Sequence, residues 1–582
     1  MMPESPFLHR FGTNYAPSPK EVEGIKQILL EPEKTLRVLE EEIARLQAER
    51  DELQSFVDNH RSLLSPVRRT PIDILREVFV RCLPDDRLPV RTLREAPLLL
   101  TGICRTWREI AISTPHLWNR IHISLPEPPS FPIKDFFREL VKARQEGLES
   151  WLSRSGSLPL TFSFHAGLQR WIHHSERPES WDELKTLYLD FTRHLLSYSS
   201  RWGNVSLNVP HFIRNFLQTY EVGQLNALQE LRSTDLGDIC ARVPSATTVP
   251  MHPLDTILSR APLLHVLHLK ELYVTRLSVR WENITDLVLS SCYESEVAVS
   301  EVVRLLSNCT SLRQCTVHNI QFKVNHQITL GNLTAVLPYL HTLNLQFNPR
   351  IHGYWFPATV ITTPQPIGAV FDAISAPRLT HLSISLTRSV PSLLFDTTPL
   401  ISFVERFGCV LSSLQLHLPV ASDGLIGLLR SMPQLSNLTL HCVLGQTPTI
   451  VGFIDLLRAL TPGLANIDAL CPLLEEVTFG DCAPEDVVLL LAFAEARCGS
   501  SYDKEVVKLK RMLVTVTTFL EEAEVISSRL QGLRDRGMSI LWCSSRPPEE
   551  LYDDSPLCGI TRTQLEPALS WERMLSSDAY LY

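Results

Sequence analysis

Two stretches decide the fold: Leu411-Ser-Ser-Leu-Gln-Leu-His417 and, 24 residues later, Leu435-Ser-Asn-Leu-Thr-Leu-His441. Both follow the template Leu-x-x-Leu-x-Leu, in which the second half alternates as a half-buried strand does. The template returns at Leu264/Leu267/Leu269, Ile284/Leu287/Leu289, Leu312/Cys315/Val317, Leu340/Leu343/Leu345, Leu379/Leu382/Ile384 and Leu474/Val477/Phe479, and earlier at Leu184/Leu187/Leu189 and Trp202/Val205/Leu207. From residue 267 the middle positions are 20, 28, 28, 39, 32, 24 and 39 residues apart. Helix-like segments fall between them at 297–306, 369–374, 401–407, 425–429 and 453–460. A strand plus a helix cannot bury its apolar edge alone, so repetition predicts stacking of parallel strands.

Repeats of ~20–29 residues are the leucine-rich kind, and these spacings predict an irregular leucine-rich-repeat-like solenoid with insertions. It spans 126–545, with 508–517 (strand), 520–534 (helix) and 538–543 (strand) closing it and a partly ordered tail at 546–582. The competing reading is an ordinary α/β domain whose buried strands are rich in leucine. Because the leucines point inward, the alternate residues should line the concave face of the arc, with the helices on the convex side, by the period-two rule. That face comprises Val266, His268 and Lys270; Asp286, Val288 and Ser290; Gln314, Thr316 and His318; Thr342, Asn344 and Gln346. It continues with His381, Ser383 and Ser385; Ser413, Gln415 and His417; and Asn437, Thr439 and His441. It is polar, nearly uncharged, and carries His268, His318, His381, His417 and His441. Either these are ordinary solvent-facing residues, or they form a hydrogen-bonding target surface, with His268, His318, His381, Gln415, His417 and His441 as candidates. Histidine titrates near ~6.5, so such a surface would sense pH. His417 and His441 occupy equivalent positions in consecutive repeats and should be neighbours.

Working outward from the repeats, residues 1–30 read as a flexible tail and 31–64 as a helix. Leu36, Leu39, Ile43, Leu46, Leu53 and Val57 follow a 3-4-3-7-4 spacing, with Arg50 at the missing seam position. This is either a short coiled coil joining two chains through residues 36–57 or an amphipathic helix lying on its own protein. After Ser65-Pro66, the run Thr70-Pro71-Ile72-Asp73 marks a helix start. Ile74, Leu75, Val78, Phe79 and Cys82 make its apolar stripe. A second helix follows Pro97 with Leu99, Ile103, Trp107 and Ile110, then a turn at Thr114-Pro115 carrying Leu117 and Trp118.

The run Thr70-Pro-Ile-Asp-Ile-Leu-Arg-Glu-Val-Phe-Val-Arg-Cys-Leu-Pro84, then Leu98 to Ala111 with Cys104-Arg-Thr-Trp107, then Ser113-Thr-Pro-His-Leu-Trp118, resembles an F-box. It is most similar to the F-box-like domains of mushroom-forming fungi, and it places an all-α module at 65–125. Families usually open with Leu-Pro, where this chain has Thr70-Pro71. The resemblance implies a substrate-recognition subunit of an SCF-type ubiquitin ligase, with a Skp-type adaptor and cullin as partners and a target protein on the repeats. It carries over Pro71, Ile74, Leu75, Val78, Phe79, Ile103, Trp107 and Trp118, with Trp107 expected in the module's core and Leu75 and Val78 on the adaptor. The rivals are a leucine-rich-repeat interaction scaffold without ubiquitin function and an unrecognised hydrolase.

Composition narrows the alternatives. The chain has 582 residues, 44% hydrophobic and 20% charged, so burial can offset chain entropy and extensive disorder is not expected. Net charge is −9 without a Lys/Arg block, which speaks against phosphate-driven nucleic-acid binding. The eight-residue apolar run Val487–Ala494 is far short of the ~20 residues of a membrane span. The opening residues carry no secretory pattern, so an intracellular protein, cytoplasmic or nuclear, is expected. Thirteen scattered cysteines without Cys-x-x-Cys read as small buried hydrophobes. No phosphate-cradle, nucleophile-elbow or zinc-helix motif occurs. No cofactor, metal or catalytic residue is therefore assigned, and a non-enzyme is expected.

Overall fold

The structure is a computed structural model, and it describes residues 5–543 except 129–131, 168–180, 221–222, 236–253, 271–276, 291–296, 324–329, 331–332, 351–365, 388–393, 442, 445–446, 449, 463–469, 484–485, 500–505 and 517–522. The expected tail at 546–582 lies outside them. The chain divides into two compact units, 1–78 and 79–582.

In the first unit, helix α1 (Pro19–Leu63) runs 45 residues. It starts well before residue 31, because Ser18 and Glu21 close its first turn: the Ser18 N–H donates to Glu21 Oε2 at 2.8 Å. The residues read as a tail thus include its first turns. Helix α2 (Ile72–Arg81) begins just after Pro71, and the Leu75 N–H donates to Pro71 O (3.1 Å). The Thr70 hydroxyl donates back to Pro66 O (3.3 Å).

The second unit opens with two short helices where one was expected, α3 (Leu98–Ile103) and α4 (Arg105–Ile112). They part at Cys104, whose extended backbone (φ −156°) breaks the helix and whose Sγ accepts the Trp107 N–H. Then comes, among the described residues, a parallel sheet whose main path is fourteen strands in strict chain order, with the two-residue strand Val297–Ala298 pairing beside it. They are β1 (Arg120–Ser124), β2 (Leu160–His165), β3 (Trp202–Val209), β4 (Glu230–Asp235), β5 (Val266–Lys270), β6 (Asp286–Ser290) and β7 (Gln314–Lys323). The order continues with β8 (Thr342–Arg350), β9 (His381–Leu386), β10 (Ser413–His417), β11 (Asn437–His441), β12 (Glu476–Cys482), β13 (Arg511–Val516) and β14 (Ser539–Cys543).

The register explains the template. One cross-strand row runs Ile121–Phe162–Val205–Leu231–Leu267–Leu287–Cys315–Leu343–Leu382–Leu414–Leu438–Val477–Met512–Ile540, and all fourteen side chains are buried. A parallel row starts at Ile123 and Phe164 and includes Leu269, Leu289, Leu345, Leu416, Leu440 and Phe479. Each buried leucine is worth roughly 1.5–3 kcal/mol relative to exposure, so a row repeated over fourteen strands fixes both pairing and face. Helices between the strands pack against their neighbours in the same order, among them α5 (Asp135–Arg154), α6 (Trp181–Leu196), α7 (His211–Thr219), α8 (Asp255–Ser259), α9 (Val299–Leu306) and α10 (Pro366–Ala373). The series continues through α11 (Thr398–Phe407), α12 (Ser422–Arg430), α13 (Phe453–Leu460), α14 (Val487–Cys498) and α15 (Ala523–Asp535).

Two sequence expectations change. Leu184, Leu187 and Leu189 lie in α6, where the 3.6-residue period buries Leu184, Tyr188, Phe191 and Leu195 and leaves Leu187 and Leu189 half-covered. Strand β4 was missed because its template, Leu228-x-x-Leu231-x-Ser233, ends in a buried serine instead of an apolar residue.

At the first edge of the sheet, the segment before α3 lies along β1, with the His122 N–H donating to Pro89 O (2.8 Å). Its neighbouring backbone groups are also taken. Leu88 O accepts from Arg87 Nη1, and the Val90 N–H donates to Glu95 Oε1 (2.8 Å). Arg87 and Glu95 pair with each other while largely buried. Far along the chain, Arg497 is 2% exposed and donates to three carbonyls, Leu460 O (3.0 Å), Leu470 O (2.6 Å) and Cys471 O (3.2 Å). Burial pulls its pKa down to about 10.

Candidate recognition face

Strand alternation sends one side chain in two away from the leucine rows, and in register these residues form polar ladders across the sheet. The middle ladder reads His122, Ser163, Ser206, Arg232, His268, Val288, Thr316, Asn344, Ser383, Gln415, Thr439 and Thr478 before turning apolar at Leu513 and Leu541. Neighbouring rungs hydrogen-bond. His122 Nδ1 lies 2.6 Å from Ser163 Oγ, Asn208 Nδ2 lies 3.0 Å from His165 Nδ1, and Asn344 Nδ2 donates to Thr316 Oγ1 at 3.1 Å. On β11 to β13, Asn437 Nδ2 donates to Glu476 Oε2 (3.2 Å), and Glu476 Oε1 pairs with Arg511 Nη1 (3.0 Å). Such bonds hold polar side chains in fixed orientations, which lowers the entropy lost when a partner is bound.

Of the histidines singled out from sequence, His417 and His441 meet. Their rings stack with centroids 4.3 Å apart and planes 25° from parallel. His441 Nδ1 lies 3.5 Å from Asp481 Oδ2. Gly480, opposite His441 in register, makes room: a Cβ there would stand 2.4 Å from His441 Nδ1. Asp481 adopts φ 54°, and its N–H donates to Thr515 Oγ1 (2.7 Å). Gln415, exposed, sits between Ser383 and Thr439. The others stand apart. His268 bonds Asp286 (3.2 Å) on the next strand, His318 is half-buried on β7, and His381 is exposed on β9 beside Thr380 Oγ1 (2.8 Å). Val266, expected on this face, is buried at 8% exposure, and the side chain of Lys270 lies outside the described residues.

Sequence reasoning missed Gly480 and Asp481, although the run Phe479-Gly480-Asp481 directly after a template was a visible mark of close backbone approach. It also missed the polar residues of β1 to β4. There a groove of about 270 Å³ opens on the polar face, bounded by Asp86, Arg87 and Leu88 and floored by Ser163, Ser206 and Arg232.

The residues assigned to the adaptor fall into two groups. Pro71, Ile74, Val78 and Ile103 are exposed, the last three by 55%, 48% and 56%. Leu75, Phe79 and Trp118 are buried. Trp118 is locked by its Nε1–H to Ala111 O (2.8 Å) and an edge contact with Trp151 (5.0 Å), so it serves the core. Trp107 is half-buried with its ring 4.8 Å from Phe79, a partial cover where full burial was expected. Leu75, expected at an adaptor contact, is 7% exposed, because the i, i+4 spacing sets it on the same stripe of α2 as Phe79, about 100° round the helix from the solvated Ile74 and Val78.

The thiols of Cys309 and Cys471 are pushed up to about 12 by burial, and that of Cys315 is raised further, which suits inert packing groups. Among the described residues no group of three His, Cys, Asp or Glu side chains is placed to hold a metal ion, and no helix is long and apolar enough to cross a membrane. What the face can do chemically is bind, through ordered hydrogen-bonding groups on a rigid sheet. No protein-family profile matches this chain, and no curated protein matches it at a significant level.

Proposed function

We propose that the chain is the substrate-recognition subunit of an SCF-type ubiquitin ligase, in which the F-box-like segment holds a Skp-type adaptor, linked to a cullin, and the polar face of the sheet selects the target. In this reading the sheet and its helices are a leucine-rich-repeat-like solenoid. Support for the solenoid comes from the template's return in register on successive strands. The observation that carries the functional reading is on α2. Ile74 and Val78, two apolar side chains four residues apart, are left to solvent on a helix otherwise anchored by Leu75 and Phe79. Apolar side chains paired on one exposed helix face are what a partner helix covers. Ile103 on α3 is a further exposed apolar residue of the same sequence pattern. The subunit has no active site of its own; the ligase works by holding the target near the charged conjugating enzyme. Function would then place the chain wherever such ligases act, in cytoplasm or nucleus.

A specific departure favours a second reading, a leucine-rich-repeat interaction scaffold without ubiquitin function. Thr70 stands where such families carry leucine before the proline, and Leu75 is withdrawn from solvent. Co-purification of the full chain with a Skp-type adaptor separates the two. Ile74→Glu with Val78→Glu should abolish adaptor capture while the circular dichroism stays unchanged. Gln415→Ala with His417→Ala should lose the target and keep the adaptor. A wild-type chain that captures no adaptor leaves the scaffold reading. If the Gln415/His417 variant still enriches the same ubiquitinated partners, the polar face does not select them.

A further inference from the structure

Going beyond the ligase reading and independent of it, we infer that α1 joins two copies of this chain in a parallel, two-stranded coiled coil over residues 36–63. Every described side chain from Glu33 to Arg61 is exposed, so about eight turns of helix have no cover from the described residues of their own unit. An isolated helix in water gains little from propensity alone, and long helices are normally held by packing of an apolar face. Such a face is present. Leu39, Leu46 and Leu53 fall at the d positions of successive heptads, and Leu36, Ile43 and Val57 at the a positions. Their exposure ranges from 40% at Val57 to 60% at Leu53. Pro32 bounds this seam on one side, and the end of the helix at Leu63 bounds it on the other.

The occupant follows from the residues around the seam. β-Branched side chains at a combined with leucine at d fit two parallel strands, and one polar a residue fixes register and chain number. Arg50 is that residue. In a parallel pair the a side chain lies beside the preceding g residue of the other helix, which sets each Arg50 against Glu49 of the second copy. Within one chain Arg50 only reaches Asp51, one residue on and 66% exposed, so a better-placed carboxylate can displace it. The flanking pairs of a parallel dimer, Glu42 with Gln47 and Glu49 with Gln54, bring no like charges together. An antiparallel pair would set Glu42 and Glu49 against the same glutamates of the second copy. Counting a, d, e and g positions over four heptads, each helix contributes about 16 residues, near the ~20–30 a side of a standard interface.

The full chain is the material for the test. Sedimentation equilibrium at micromolar concentration should give twice the 66.0 kDa chain mass. Leu39→Glu with Leu46→Glu, at two solvent-exposed sites and with a good helix former, should halve that mass and leave the main unfolding transition in place. Leu53→Cys should cross-link two chains under mild oxidation, as parallel in-register helices require. Arg50→Glu should raise the dimer Kd at least tenfold, and Glu49→Arg with Arg50→Glu should bring it back. A single-chain mass for the wild type, or a mass above two chains, overturns the inference. So does a dimer that survives Leu39→Glu/Leu46→Glu, or one in which Leu53→Cys does not cross-link. None of these readings depends on adaptor binding.

Discussion

Helix α1 and the fourteen-stranded sheet are both written in leucine, yet they treat it in opposite ways. In the sheet Leu414, Leu416, Leu438 and Leu440 are at most 3% exposed, whereas on α1 Leu39, Leu46 and Leu53 are half or more exposed. The difference lies in the period. A 3–2 spacing puts leucines on one face of a strand that its own chain repeats and covers, while a 3–4 spacing puts them along a helix whose next turn cannot cover the last. A repeating sheet completes itself; a single long helix needs something from outside.

The largest effect expected from breaking this contrast comes at Arg497, the buried cation that ties the end of α13 and the 470–471 turn to α14. Arg497→Met leaves three carbonyls without their donor and should cost at least ~3 kcal/mol in denaturant unfolding, since each buried acceptor left unsatisfied costs ~1–3 kcal/mol. Next, Leu438→Ala in the leucine row should cost ~2–5 kcal/mol. Leu46→Ala on α1 should leave the same transition within about 0.5 kcal/mol and show instead as a weaker dimer. Equal effects from the two would erase the distinction. Gly480→Ala forces the His441 ring away from its strand neighbour and should cost ~1–3 kcal/mol by overpacking. Its signature is local: the ring-current shift between His417 and His441 should vanish from the NMR spectrum while the sheet persists. A smaller effect than at Gly480 is expected at Glu495, which receives a two-point bond from Arg529 (2.7 and 2.8 Å). That bond holds the Glu495 carboxyl below its ordinary value. A depressed carboxylate pKa adds stability above its unfolded value and loses it as pH falls through its folded one. Glu495→Gln should therefore cost up to ~1 kcal/mol at neutral pH, and the difference from wild type should fade in acid.

How much of this was legible in the sequence depends on whether the deciding signal is local. From Trp202 onward the strands other than β4 could be read because apolar residues alternate over five or six positions, and Phe453–Leu460 matches its expected helix residue for residue. Leu184–Leu189 satisfied the same template and folded as helix, since a short apolar run fits either period until its neighbours (here Tyr188, Phe191 and Leu195) are counted. Strands β1 and β2 were hidden because Ile121-His122-Ile123 and Phe162-Ser163-Phe164 carry no leucine in those positions. On the polar face the pairing of His417 with His441 followed from equal positions in consecutive repeats. Asp481 could not be foreseen, because its place depends on a positive φ and on Thr515, 34 residues away. Trp107 and Leu75 show the same limit on α2 and α4. Sequence marks an apolar stripe, and only packing says which members of it stay wet.

The Arg87–Glu95 pair beside β1 has a consequence for how such a sheet ends. A run of parallel strands in chain order is an open polymer, and each outer strand is a template on which a further strand, from this chain or another, can grow. Here growth stops at the first strand through charge. The segment along β1 contributes Pro89, which has no N–H to offer, and the flanking Leu88 carbonyl and Val90 N–H are occupied by a guanidinium and a carboxylate that hold each other. Two ionised side chains thus act as a chain terminator, sparing the molecule from becoming the first unit of a fibre.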